Sequence, residues 1–337
     1  VLDKLQRAVE MRPLKLSVDK ETRAGHIACI GLAWSKLEAI CIPFMCVERQ
    51  SGYWDEDQEA EIVWRLHNLL THKNCQVIGQ NFLYDAQYSY RHWHFVPNLV
   101  RDTMLAQHVC FSNLPKGLDF LSSMYCEFHE YWKDEGKDWD ENTGEDQLWE
   151  YNCKDGVITY EVDEVEAQNV AAMGLQVQHD FQQKLFWPVL KTMNRGIRVD
   201  KERRSTFAME LFDAIAERQQ WLIDVLGFQV NIKSPPQMQQ LFYEVLNQKP
   251  VLARKTKRPT CNDEALVTIA EREPLLRPIV KKIQELRSLS VFLATFVAAP
   301  LDIDGRIRCS FNIGGTETYR FSSSKNAFGT GLNLQNI

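Results

Sequence analysis

The stretch Leu14-Lys15-Leu16-Ser17-Val18-Asp19-Lys20-Glu21 decides how this chain reads. Leu14, Leu16 and Val18 alternate with Lys15, Ser17 and Asp19, and Glu21 continues the second phase. Successive side chains of a β-strand point to opposite faces, so a strand here sets Asp19 and Glu21 side by side. The same alternation puts Lys20 among the apolar residues. A buried ammonium is costly there unless its stem reaches water or it finds a partner.

Working outward, residues 14–19, 27–34 and 37–43 read as a strand meander, because each run is short, apolar-rich and bounded by turn-forming or polar residues. Helical spacing follows over 57–70 and 82–92, with a strand at 76–78 between them. This mixture implies an α/β layer architecture. A helix over 147–172 would carry Tyr151 and Asp155, which share a face because they are four residues apart. Asn81 and Asp85 would be related in the same way, with Asn81 near a helix cap.

Gly174 marks a boundary, beyond which helices are expected over 178–193, closed by Gly196, and over 201–226, closed by Gly227. Two more are expected over 236–246 and 274–297. Asp200 is a natural N-cap, and Pro235 or Pro236 suits a first turn. Residues 307–311 and 316–321 look strand-like.

Brought together, Asp19, Glu21, Asp85 and Asp155 supply enough carboxylate to hold two divalent metals around a scissile phosphate, with Tyr151 beside them. Each motif alone is a weak signal, and solvated surface carboxylates are the bland alternative. The all-oxygen ligand set favours magnesium or manganese over zinc. Nine cysteines lie dispersed without the paired spacing of a structural zinc site, which suits reduced thiols.

Of the 337 residues 45% are hydrophobic, enough for two packed units, and no run approaches a membrane span. The N-terminus lacks the layout of a secretory signal, so a soluble, cytoplasmic protein is expected. A net charge of −6 does not advertise nucleic-acid binding, for which a local basic footprint is expected. That sum hides acidic crowding over 133–150 and basic clusters at Arg254-Lys255-Thr256-Lys257-Arg258 and Lys281-Lys282.

The order of motifs resembles the 3'-5' exonuclease domain and the beginning of the polymerase domain of family A DNA polymerases, in their bacteriophage branch. Asp19 and Glu21 with Thr22 and Gly25 through Trp34 resemble the first exonuclease motif; Gly79-Gln80-Asn81 through Asp85 resembles the second; Tyr151 through Asp155 resembles the third, tyrosine-containing one. Arg101-Asp102-Thr103 and Leu114 through Leu118 resemble connecting elements. Gly196 through Asp200 and Asn231 through Pro235 resemble the entry to the thumb; Arg320 through Ser324 and Asn333 through Ile337 resemble the lead into the palm.

The resemblance implies a ribonuclease H-like exonuclease fold over 1–173, a mixed sheet flanked by helices, followed by a mainly helical partial polymerase domain over 174–337. It implies that Asp19, Glu21 and Asp155 hold the metal nearer the nucleophilic water, that Asp19 and Asp85 serve the second, and that Tyr151 orients the water. Thr22 and Asn81 would meet the terminal nucleotide; Lys233, Lys255, Lys257, Lys281 and Arg320 would meet DNA, single-stranded or primer-template. A replication accessory protein is a further partner the resemblance allows, in an infected host cell if the origin is a phage. The polymerase centre would lie beyond Ile337, so primer extension is not expected of these residues.

Two departures from the family stand out: Lys20, where an apolar or small residue is usual, and Tyr319, where many relatives have glycine before the arginine. The insertion-like 325–331 also lengthens the approach to the last motif. Two rival readings stay open: a noncatalytic DNA-binding chain with an impaired exonuclease site, and a helical scaffold built on 175–297.

Overall fold

A computed structural model describes residues 1–47, 49, 52–127, 131–134 and 144–336. Half of the acidic stretch 133–150, namely 135–143, and the last motif residue, Ile337, lie outside them. The described residues form two compact units, Val1–Gly196 with Arg308–Asn336, and Ile197–Ile307.

The first unit is built on a five-stranded sheet in the order β3-β2-β1-β4-β5. Its strands are β1 (Leu14–Arg23), β2 (His26–Ala33), β3 (Ala39–Pro43), β4 (Cys75–Gly79) and β5 (Leu99–Asp102). β1 runs antiparallel to β2, with Asp19 opposite Gly31 and Glu21 opposite Cys29. On its other side β1 runs parallel to β4, but only from Leu14 to Ser17. Asp19 and Glu21 therefore stand where β1 outruns its parallel partner, the kind of strand end at which α/β sheets place ligand sites.

Helices flank this sheet: α1 (Leu2–Met11), α2 (Glu56–Leu70), α3 (Leu83–Tyr88), α4 (Thr103–Cys110), α5 (Leu118–Tyr125), α6 (Glu145–Ala172), α7 (Gln176–Lys184) and α8 (Phe186–Arg195). α2 starts at a capping box in which Asp55 accepts the Gln58 amide and the Gln58 side chain returns to the Asp55 amide. The helix expected over 178–193 is two helices, because Pro188 offers no amide for the carbonyl of Lys184 and sits instead in the first turn of α8. Phe186, Val189, Leu190 and Met193 of α8 are buried with Leu16, Leu66 and Phe82. The first segment of this compact unit runs to Gly196, past the Gly174 at which a boundary is expected.

α6 comes very close to the sheet. A Cβ on Gly31 would lie 2.6 Å from Asn152 Oδ1, so only glycine admits α6 at that height. Farther along, Asp163 is fully buried; Lys15 of β1 donates to it at 3.0 Å, and Arg101 of β5 donates to both of its oxygens. Breaking a buried pair leaves an uncompensated charge, which costs about 3–5 kcal/mol, so this cluster fixes the register of α6 on the sheet.

The second unit is helical: α9 (Lys201–Leu226), α10 (Pro235–Gln239), α11 (Asp263–Arg272) and α12 (Arg277–Phe292) around Leu222, Met238, Phe242, Leu266, Ile269, Ile283 and Leu286. Asp200 caps α9 by accepting the Arg203 amide at 3.0 Å, and Gly227 closes it at φ 78. No helix among the described residues is long and apolar enough to cross a membrane.

Residues 308–336 return to the first unit, where Tyr88 donates to the Ala327 carbonyl at 3.1 Å and packs its ring 4.6 Å from Phe328. The strand expected over 316–321 is instead a turn: the Thr316 hydroxyl accepts the Arg320 amide at 3.0 Å and donates to the Arg320 carbonyl at 2.9 Å. Strand pairing resumes between Ser310–Asn312 and Ser322–Ser324. Tyr319 sits in that turn at φ 61, a left-handed conformation that favours the glycine the family resemblance implies there. Its ring is held 4.5 Å from that of His108. Tyr319→Gly is expected to shift stability by less than about 1 kcal/mol, since relieved strain offsets lost packing. Tyr319→Ala keeps the strain and loses the ring, so it should be the more damaging of the two in urea denaturation; the reverse order would contradict this account of the turn.

Candidate active site

Strand alternation delivers what it promised for β1: the ligand atoms of Asp19, Glu21 and Asp155 all lie within 4.8 Å of one another. Asp155 comes from α6, one turn beyond Tyr151 and on the same side. Asp85 is buried in α3 and stands outside this triad, although its charge acts on both Asp19 and Glu21. One of its oxygens, Oδ1, is buried without a hydrogen-bond partner among the described residues.

Asn81 is not the helix cap. It has φ 52, the N-cap of α3 is Phe82 with no side-chain cap bond, and the loop before the helix is held by the carboxylate of Asp102, which accepts the amides of Asn81 at 3.0 Å and Phe82 at 2.8 Å. The same carboxylate accepts the Met104 amide at 3.0 Å, so one buried side chain fixes both the second motif and α4. The helical relation expected between Asn81 and Asp85 is therefore absent. Thr22 shares a 2.8 Å hydrogen bond with the Tyr84 hydroxyl at the rim of the site.

Three contributors were not read from the sequence. Asn152 donates to Asp19 Oδ2 at 2.8 Å and ties α6 to β1 directly. Trp132 donates its indole N–H to Asp155, and Lys133 lies 2.6 Å from Asp155 Oδ2 and 2.9 Å from the Tyr151 hydroxyl. No spacing rule could have linked a Trp-Lys pair between motifs to a carboxylate more than twenty residues later.

The electrostatics are those of crowded, desolvated acids. Burial, then Asp155, pushes Glu21 up to about 8, and burial together with its carboxylate neighbours raises Asp19 well above the usual range. Burial raises Asp85 to about 6, against the opposing charge of Lys20. Burial also raises Asp155, while Lys133 and Trp132 oppose it. Burial draws Lys133 toward neutrality, but Asp155 and Tyr151 outweigh that and keep it charged. Burial and Asp155 lift Tyr151 to about 12, so its hydroxyl stays protonated.

An all-oxygen triad this close, with Glu21 raised to about 8, suits a hard divalent cation that would displace the Glu21 proton. Without such a cation, a carboxyl whose pKa is raised on folding binds more protons folded than unfolded, and its contribution falls as pH rises. With divalent ions chelated, thermal stability is expected to drop between the ordinary 4.5 of Glu21 and about 8. Glu21→Gln should flatten that part of the melting profile; an unchanged slope would refute the assignment.

Lys20 is buried at 4% exposure, and its Nζ has no hydrogen-bond partner among the described residues. The ammonium lies 5.1 Å from the centroid of Phe82 and 5.9 Å from that of Trp93. Its strand phase is the one alternation assigned, and burial lowers its pKa. Lys233, Lys255, Lys257 and Lys281 are exposed in the helical unit and form no ion pair among the described residues, while Arg320 is exposed in the turn of the first unit.

Comparison with known proteins agrees with the motif order. Residues 3–164 match the family described as 3'-5' exonuclease, and residues 201–337 match the family described as DNA polymerase family A. DNA polymerase I of Borreliella burgdorferi is 24% identical over 333 residues, covering 96% of this chain and 35% of that protein. DNA polymerase I of Streptococcus pneumoniae is 29% identical over 189 residues, covering 55% of this chain and 20% of that protein. The chain thus spans about a third or less of the length of these relatives. The solved POL domain of Pol1 from M. smegmatis, in complex with DNA primer-template and dNTP, has the same fold, with a TM-score of 0.68 at 19% identity over 99% of this chain and 54% of that one. The chain belongs to the family A DNA polymerases, with a 3'-5' exonuclease domain followed by part of a polymerase domain.

Proposed function

We propose that this chain removes nucleotides from DNA 3' ends in a divalent-metal-dependent reaction, acting on single strands or frayed primer ends. The observation that carries this reading is the convergence of Asp19, Glu21 and Asp155 to within 4.8 Å from a strand and a helix far apart in sequence. Asp19, Glu21 and Asp155 would hold one ion and Asp19 with Asp85 a second. Two such ions, magnesium or manganese, would neutralise the phosphoryl group, activate water and stabilise the departing 3' oxygen.

The chain's own residues supply the remainder. Asn152 fixes Asp19 from above the sheet, leaving its second oxygen available. Tyr151, protonated, orients the attacking water by hydrogen bonding and needs no phenolate. Thr22, hydrogen-bonded to Tyr84, and the exposed Asn81 would meet the terminal nucleotide. Lys233, Lys255, Lys257, Lys281 and Arg320 would contact phosphates without sequence preference and with strong salt dependence. Membership of the bacteriophage branch, and any accessory protein, belong to this proposal as well.

Lys20, buried beside Asp85, favours a second reading in which the fold binds DNA but hydrolyses it poorly. One assay separates the two: a 5'-labelled single strand incubated with the purified 337-residue chain, with and without magnesium or manganese. A ladder shortening from the 3' end only with metal supports the nuclease. Binding with no shortening at any metal concentration supports the alternative.

A further inference from the structure

We propose that Lys133 is a positioning residue for strand hydrolysis, holding the Tyr151 hydroxyl and the Asp155 carboxylate in fixed relation to each other. This rests on the exonuclease reading of the site and adds a residue that its motifs do not contain.

An ammonium has three donors, and the three hydrogen bonds Lys133 makes among the described residues are inside the site: Asp155 Oδ2 at 2.6 Å, Asp155 Oδ1 at 2.8 Å and the Tyr151 hydroxyl at 2.9 Å. The Lys133 side chain is 20% exposed and that of Asp155 7%, so the pair is shielded from solvent, unlike a surface bridge. The Lys133 stem is confined as well, with Nζ 4.9 Å from the ring centroids of both Trp132 and Tyr151. Trp132, itself 3% exposed, donates its indole N–H to the same carboxylate. Two consecutive residues from outside the helix therefore grip the functional end of α6.

The contact has a directional consequence. A phenol oxygen that accepts from an ammonium turns its own hydrogen away from it and becomes a stronger donor. Lys133 thereby turns the Tyr151 O–H away from itself, toward the Asp155 carboxylate that this hydroxyl also meets, and sets where the donor points to a water beside that carboxylate. A long ammonium suits this geometry, because glutamine could reach one partner but carries no charge, and the broader arginine fork cannot place three donors around one point.

The test uses the full chain, with single-strand digestion measured in manganese for Lys133→Met, Lys133→Arg and Tyr151→Phe, and for Lys133→Met combined with Tyr151→Phe. Melting curves confirm folding, and calorimetry measures manganese binding without turnover. Lys133→Met is expected to lower kcat by about 10²-fold with KM little changed. Because Lys133 acts through Tyr151, adding Lys133→Met to Tyr151→Phe should cost no more than about twofold further. Lys133→Arg should recover part of the loss, and manganese binding to Lys133→Met should be as tight as before or tighter.

Losses that multiply fully in the double variant would overturn the proposal, as would an unchanged kcat or manganese binding weakened about tenfold. Faster digestion by Lys133→Met at limiting manganese would overturn it too, showing an ammonium that merely competes with the cation. If Lys133→Met does not fold, Lys133→Arg and Lys133→Gln carry the same comparison. Digestion that survives Asp155→Ala would sink the exonuclease reading itself; digestion lost in Asp155→Ala but untouched in Lys133→Met would sink only this inference.

Discussion

Asp155→Ala is expected to slow metal-dependent 3'-end digestion by about 10³-fold or more while leaving a folded protein, since losing a metal-bearing carboxylate removes several kcal/mol of transition-state stabilisation. Retention of the fold follows from the crowding. Asp155 raises the pKa of both Asp19 and Glu21, so its removal relieves repulsion even as Lys133 and Trp132 lose their acceptor. Glu21, now pushed to about 8, should titrate lower in the variant. Asp85→Ala should also suppress digestion, though it lies outside the close triad and its loss deprives Lys20 of the carboxylate that most favours its charge. Gel analysis of digestion and thermal melting on the same preparations check both points. Undiminished digestion by either variant, purified free of host nucleases, would remove that residue from the centre.

Lys20→Met should stabilise the protein by about 1–3 kcal/mol near pH 6, because an apolar side chain of similar length replaces a buried ammonium that lacks a hydrogen bond. The gain should be smaller at pH 8. Asp85, held at about 6 partly by Lys20, would then have to ionise in a buried site without its counter-charge. Denaturation with urea at the two pH values measures this difference. A loss of more than about 1 kcal/mol at both would show that the ammonium and Asp85 act as a necessary pair.

The legible parts of this chain are those governed by short-range periodicity. Alternation in 14–21 placed Asp19, Glu21 and Lys20 correctly; the four-residue spacing of Tyr151 and Asp155 placed them on one face of α6; and Asp200 and Gly227 marked the ends of α9. Other elements carry usable signals as well. Leu2, Leu5 and Val9 of α1 have helical spacing, and α11 begins with Asn262 accepting the Ala265 amide at 3.0 Å ahead of an acidic first turn. α4 was hidden for a physical reason: from Thr103 to Val109 every residue is buried, so no polar face exists to reveal a period.

What stayed out of reach is long-range. Asp102 holding two amides at 81 and 82, Asn152 reaching Asp19 and the Trp132-Lys133 grip on Asp155 all join residues with no common local pattern. The return of 308–336 to the first unit is of the same kind. Tyr319 is the exception that a family comparison could flag but only backbone geometry could explain.

The close seat of α6 on Gly31, and its anchor at Asp163, also bear on when the site comes into being. β1 through β5 occupy the first 102 residues, yet the carboxylate triad, its Asn152 tether and the Lys15 and Arg101 anchors all need a helix that ends at Ala172. Loop closure of this span must precede the contacts that reward it, which makes docking of α6 a late step in folding. During synthesis the sheet emerges first, N-terminal residues ahead of the rest. The chain therefore cannot bring Asp19, Glu21 and Asp155 together until α6 has left the ribosome, so nascent molecules carry the complete sheet before the carboxylate triad exists.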